Sequence, residues 1–249
     1  MLKFYRKLLG RTFLLAILIV LGGCSGFSKK VMIGRDVTWF PYQFGLFTPN
    51  VNAFVNVLSD SIGKEEHFDC SIVNLDWVRL KECLNQGQVA GIFTCTLPGY
   101  DVLDYYEFSE PLLLTGPVLV VKKGSTFRTF DSLNGKTIGA YLFDSSSVEA
   151  QQIPDAVILT FDHIPNACEE LLQGKYDAIL IPALNASNLI STVYQRDLDI
   201  VSEPLTSDGI RLMVVKDKES HLIRVFNRGL TKLKNNGEYA NLKAVYEVP

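Results

Sequence analysis

Four short stretches hold the side chains best suited to grip a small polar molecule. Arg35-Asp36, followed by Trp39 and Tyr42, puts a cation, an acid and two large rings in one loop. A guanidinium fork suits carboxylates, an acid suits amines, and flat rings give contact area at little entropic cost. Thr94-Cys95-Thr96 sets two hydroxyls around a thiol, and Arg211 is a second isolated cation. Asp144-Ser145-Ser146-Ser147 has the form of a helix start, where free N–H groups and the positive dipole end favour anions and acceptors. Plain N-capping explains the same tetrapeptide, and an isolated Arg is ordinarily a solvated surface residue.

Signatures of covalent or metal chemistry are missing from the sequence. There is no GxSxG, no HExxH and no phosphate-cradling glycine loop. His67, His163 and His221 are scattered. Cys70, Cys83, Cys95 and Cys168 lack CxxC or metal-ligand spacing, so buried thiols are preferred to bridges and the pairing stays open. We expect no catalytic residue, metal or cofactor.

The elements that position these residues alternate. Strands are predicted at 31–34, 68–73, 89–94, 136–141, 157–161, 178–181, 199–201 and 212–215. Helices are predicted at 51–62 (closed by Gly63), 77–85, 165–173, 185–194 and 222–234. This alternation indicates an α/β fold of βαβ units. Between 112 and 121 an apolar run is broken by Thr115-Gly116-Pro117, which suits a crossing between two sheets better than the middle of one strand. A gap between two such halves is where a small ligand sits.

The N-terminus is of another kind. Lys3, Arg6, Lys7 and Arg11 precede an apolar run at 13–21 and then Leu21-Gly22-Gly23-Cys24. The run is too short to span a bilayer and reads as a signal peptide over 1–23 ending in a bacterial lipobox, with Cys24 the lipidated residue and 24–30 a tether. The whole chain carries a net charge of −3, and removing those four bases makes it more acidic still, which argues against nucleic acid as partner.

Several phrases resemble one family, the solute-binding proteins of amino-acid ABC importers. They are Ile33-Gly34-x-Asp36-x-Thr38-Trp39-x-Pro41-Tyr42, Phe108-Ser109-Glu110-Pro111 and Leu133-Asn134-Gly135-Lys136-Thr137-Ile138-Gly139. Gly174-Lys175-Tyr176-Asp177-Ala178, Glu203-Pro204-Leu205 and Leu233-x-x-Asn236-Gly237-x-Tyr239 follow in family order. The resemblance implies a two-lobed periplasmic-binding-protein-like fold of type 2 with two hinge strands. Lobe one would be 31–115 plus 212–249 and lobe two 118–208, with hinges near 115–118 and 208–212. It also implies ligand contacts from Asp36, Trp39, Tyr42, Thr94, Cys95, Thr96, Ser145 and Ser146.

The departures from the family pattern concern the charged handles. Leu97 stands where Thr or Ser is usual, Val102 where an Arg clamps the α-carboxylate, and Pro182 where an Asp meets the α-ammonium. Arg35 or Arg211 would replace the first handle and Asp36 the second. The function expected is a monomeric, lipid-anchored, extracytoplasmic (periplasmic) receptor. It would deliver an amino acid, a modified amino acid or a short peptide to an ABC permease. The competing expectations are a dehydratase-like enzyme on the same fold and a sensor with a vestigial cleft.

Overall fold

Strand β1 (Val31–Arg35) opens the folded part of the chain and pairs in parallel with two later strands, β2 (Cys70–Asn74) and β3 (Gly91–Thr94). The computed structural model describes residues 30–39, 49–96 and 98–249, and Tyr42 and Leu97 lie outside that set. Helix α1 (Pro49–Glu66) joins β1 to β2, and α2 (Trp77–Asn85) joins β2 to β3. A short turn of helix, α3 (Tyr100–Leu103), leads to β4 (Tyr106–Phe108) and β5 (Leu113–Leu114).

Pro117–Lys122 is β6, and it belongs to a different sheet. A 3-10 turn, Phe130–Leu133, is capped reciprocally by Thr129 and Ser132. Then come β7 (Thr137–Tyr141), α4 (Ser146–Ala150), β8 (Val157–Phe161) and α5 (Ile164–Gln173). They are followed by β9 (Ala178–Pro182), α6 (Ala183–Thr192) and β10 (Leu198–Ile200). The chain returns through β11 (Gly209–Val215) and ends in α7 (Ser220–Asn235) and α8 (Glu238–Val245).

Two mixed sheets result. The first runs β2-β1-β3-β11-β4 with β5 on β11, and the second runs β10-β6-β9-β7-β8. This is the two-lobed α/β architecture expected, each lobe built on one sheet. Only 115–116 and 201–208 connect them, and they lie side by side: the amides of Thr115 and Gly116 both donate to Asp208 O.

The cores explain the strands. In β6, Val118 and Val120 pack with Ile179, Ile181 and α5 on one face, while Leu119 and Val121 pack with Ile138, Leu180 and Ala150 on the other. A strand buried on both faces has apolar residues at every position rather than every second one. In lobe one, Ile33, Phe93, Leu212 and Val214 meet Phe54, Leu58 and Ile62 of α1 and Phe226 and Leu230 of α7. Leu80 and Leu84 of α2 cover the opposite face with Ile92 and Met213. None of the helices described is long and apolar enough to cross a membrane.

Three local expectations are corrected. Gly63 does not stop α1, which continues to Glu66. A side chain at 63 would press on the carbonyl of Phe68, so the glycine is there for the close approach, and the reversal is made by His67 at φ 57°. The return strand starts at Gly209, three residues before Leu212, because Gly209 and Ile210 pair with Leu114 and Leu113. Helix α8 has no strong apolar period and is not among the expected helices; Leu242 is its only buried residue.

Candidate functional site

Both lobes bring the singled-out residues to the carboxyl ends of parallel strands, the usual place for ligands in open α/β sheets. Arg35 ends β1 and Thr94 ends β3, whereas Asp144, Ser145 and Ser146 follow β7 and begin α4. Arg211, on β11, pairs across the ladder with Thr94.

The loop after β1 is tightly folded. Asp36 accepts from the Thr38 amide at 2.9 Å and the Thr38 hydroxyl at 2.7 Å, an Asx turn that sets the path to Trp39. Trp39 adopts φ 56°, rare for a bulky residue, and only 1% of its surface is exposed. It joins the lobe-one core, and its indole Nε1–H has no hydrogen-bond partner. Trp39, Asp36, Phe93, Thr94, Cys95, Trp77 and Leu80 line one recess, which is too tight to admit a water molecule.

Thr94 and Cys95 are buried and Thr96 half-buried; the two threonine hydroxyls bond each other at 2.9 Å. Burial and then Asp36 push the Cys95 thiol up, away from the thiolate form that a nucleophile needs. All four described cysteines are buried, and Cys83, Cys95 and Cys168 are free thiols.

Neither arginine is a solvated surface residue. Arg35, 6% exposed, donates from Nη1 to Asn52 O at 3.0 Å and Asn56 Oδ1 at 2.9 Å, and from Nη2 to Asn74 Oδ1 at 3.2 Å. Arg211, 9% exposed, donates from Nη1 to Ser109 O and from Nη2 to Ser207 O, both at 2.8 Å. Burial lowers the proton affinity of both. For Arg211, Glu110 and Asp208 work against that effect; for Arg35 no acid does.

In lobe two, Ser146 N donates to Asp144 Oδ1 at 2.8 Å, so Asp144 supplies the cap. Ser146 is fully buried with an unpartnered hydroxyl, and Asp144 Oδ2 is likewise unpartnered. Ser145 Oγ donates to Asp208 Oδ2 at 2.7 Å. Asp208 was not foreseen; its one sequence cue is its place in Ser207-Asp208-Gly209, a turn signal before a strand. The asparagines around Arg35 gave no cue at all.

The structure therefore gathers Asp36, Trp39, Thr94 and Cys95 at one place and Asp144, Ser145, Ser146 and Asp208 at another. Arg211 stands beside the crossings and Arg35 lies among α1 and β2. Val102 is packed with the core around Leu80 and Leu84, and Pro182 pairs with Pro117 and caps α6. Neither position carries a charge.

Comparison with known proteins gives a consistent picture. The model for bacterial extracellular solute-binding proteins, family 3, matches residues 31–247. The arginine-binding extracellular protein ArtP of Bacillus subtilis is 21% identical over 224 residues, 89% of this chain and 87% of that protein. The L-cystine-binding protein TcyJ of Escherichia coli is 23% identical over 210 residues, 83% of this chain and 78% of that protein. Among solved structures, the L-cystine solute receptor of Neisseria gonorrhoeae, unliganded and open, superposes with a TM-score of 0.70 at 18% identity, covering 87% of this chain and 92% of that one. The second substrate-binding domain of a putative amino acid ABC transporter from Streptococcus pneumoniae gives 0.69 at 24%, covering 88% and 100%.

Proposed function

The chain belongs to the bacterial extracellular solute-binding proteins, family 3, and from that premise we propose that it is a lipid-anchored receptor that hands a small solute to an ABC importer. The solute is an amino acid or a close relative of one, the class named for ArtP and TcyJ. The observation that carries this reading is the pair of adjacent crossings at 115–116 and 201–208 between two separately packed sheets. Two thin connections let the lobes turn as rigid bodies, and a ligand that contacts both lobes favours the closed arrangement.

In this reading the lobes divide at the crossings, 31–115 and 212–249 against 118–208. Asp36, Trp39, Tyr42, Thr94, Cys95 and Thr96 face the solute from lobe one, and Ser145 and Ser146 from lobe two. The unpartnered Trp39 Nε1–H and Ser146 hydroxyl are supporting signs, because orphaned polar groups inside a protein are few and commonly functional. Cys24 carries the lipid and holds the receptor at the membrane outside the cytoplasm.

Native mass spectrometry of freshly purified protein tests the proposal, followed by calorimetry with L-arginine, L-histidine, L-glutamine and L-cystine. A bound small molecule, or a dissociation constant in the micromolar range or below, is the expected result. No binding by any of them removes the amino-acid assignment.

A further inference from the structure

Resting on the receptor reading, we infer that Arg35 is the residue that binds an oxyanion of the solute, a carboxylate or a phosphate. Its guanidinium has five N–H donors, of which three are engaged, all by neutral amide oxygens of Asn52, Asn56 and Asn74. Nε–H has no partner, and Nη2 has one bond for two hydrogens. That Nε/Nη2 edge is the one that takes an oxyanion through two parallel hydrogen bonds.

Among the described residues no Asp or Glu forms an ion pair with Arg35. The residues outside that set, 1–29, 40–48 and 97, contain no Asp or Glu. A bound oxyanion would supply the counter-charge that these residues do not. A buried cation with only neutral partners is unfavourable, and proteins keep such a group chiefly where it has a task. Burial draws down the proton affinity of Arg35 with no acid opposing it. Arg211 differs: Glu110 and Asp208 already stand near it.

We place the approach of the oxyanion on the β2 side. Asn74 is exposed, and its bond to Nη2 is the longest of the three at 3.2 Å. In this inference the Asn74 side chain swings aside to admit the oxyanion to the Nε/Nη2 edge.

The test uses the full-length protein, R35Q and R35K. Thermal unfolding is followed in sodium acetate, sodium phosphate and sodium chloride at matched ionic strength. Calorimetry compares L-arginine with agmatine and L-histidine with histamine, pairs that differ by one carboxylate. We expect acetate or phosphate to raise the parent Tm beyond chloride, and R35Q to lose that excess. We also expect the acid of a binding pair to bind at least tenfold tighter than its decarboxylated partner, and the gap to collapse in R35Q. An R35Q-sensitive excess larger for phosphate than for acetate assigns a phosphorylated solute, since the nonspecific stabilisation by phosphate persists in R35Q.

An unchanged anion response in R35Q, or an unchanged gap, overturns the inference; should R35Q not fold, R35K is held to the same standard. Equal binding of acid and amine overturns the inference but spares the receptor reading. An anion response through Arg35 without amino-acid binding spares the inference and sinks the amino-acid assignment.

Discussion

Asp208 receives the Ser145 hydroxyl on Oδ2 at 2.7 Å while its backbone oxygen receives the Thr115 amide at 2.8 Å. One residue thus ties the second crossing both to the first and to the loop that opens α4. Hydrogen bonds to a buried carboxylate contribute about 1.5–3 kcal/mol. We expect Ser145→Ala and Asp208→Asn each to lower the urea-derived stability by about 1–2 kcal/mol. The double variant should fall short of the sum by about 0.5 kcal/mol or more. Strict additivity would show that the two groups do not act together.

The crossings also depend on two missing side chains. A Cβ at Gly209 would collide with the backbone oxygen of Leu113, whereas at Gly116 the first obstacle is the Thr206 hydroxyl. Backbone cannot step aside, but a side chain can rotate. Gly209→Ala should therefore cost about 2–3 kcal/mol and Gly116→Ala clearly less, within the range of overpacked sites. Equal losses by chemical denaturation would contradict the ordering.

The α/β alternation, the break at Thr115-Gly116-Pro117 and the two-sheet outcome were legible because each rests on local pattern. What escaped the sequence depends on partners far along the chain. Arg35 and Arg211 look alike as isolated cations; only folding gives Arg35 three neutral amides from α1 and β2 and gives Arg211 two carbonyls with Glu110 and Asp208 close by. Gly63 reads as a helix stop until the carbonyl of Phe68 is seen against it. Asp208 joins a serine 63 positions away.

Asp144 supplies a pH signature. Burial is the main cause that lifts its carboxyl above the ordinary range; the hydrogen bond from the Ser146 amide opposes that and the charge of Asp208 adds to it. The folded protein therefore holds this proton to higher pH than the unfolded chain. Between those two values the native state binds more protons, so this group makes stability fall as pH rises. Asp144→Asn should flatten that part of the stability profile above the ordinary carboxylate range. A profile with unchanged slope would place the titration elsewhere.

Anchoring is tested separately from binding. If Cys24 carries the lipid, Cys24→Ser leaves the protein unanchored and moves it from the membrane pellet to the soluble fraction. The apolar run at 13–21 is too short to hold it alone. Retention of the variant in the pellet would refute lipidation at this position.

Trp39 separates packing from recognition. Its ring is in the lobe-one core, so Trp39→Ala should destabilise the protein by about 3–5 kcal/mol whatever the ligand does. Trp39→Phe keeps most of the ring and deletes only the orphaned Nε1–H, whose burial without a partner costs about 1–3 kcal/mol. Lost packing and the relieved donor then nearly offset, and the stability of the ligand-free protein should change by less than about 1.5 kcal/mol. If the solute supplies the missing acceptor, the same variant binds it about tenfold more weakly, equivalent to about 1.4 kcal/mol. Calorimetry on a folded Trp39→Phe protein decides: full affinity there means the indole serves the core alone.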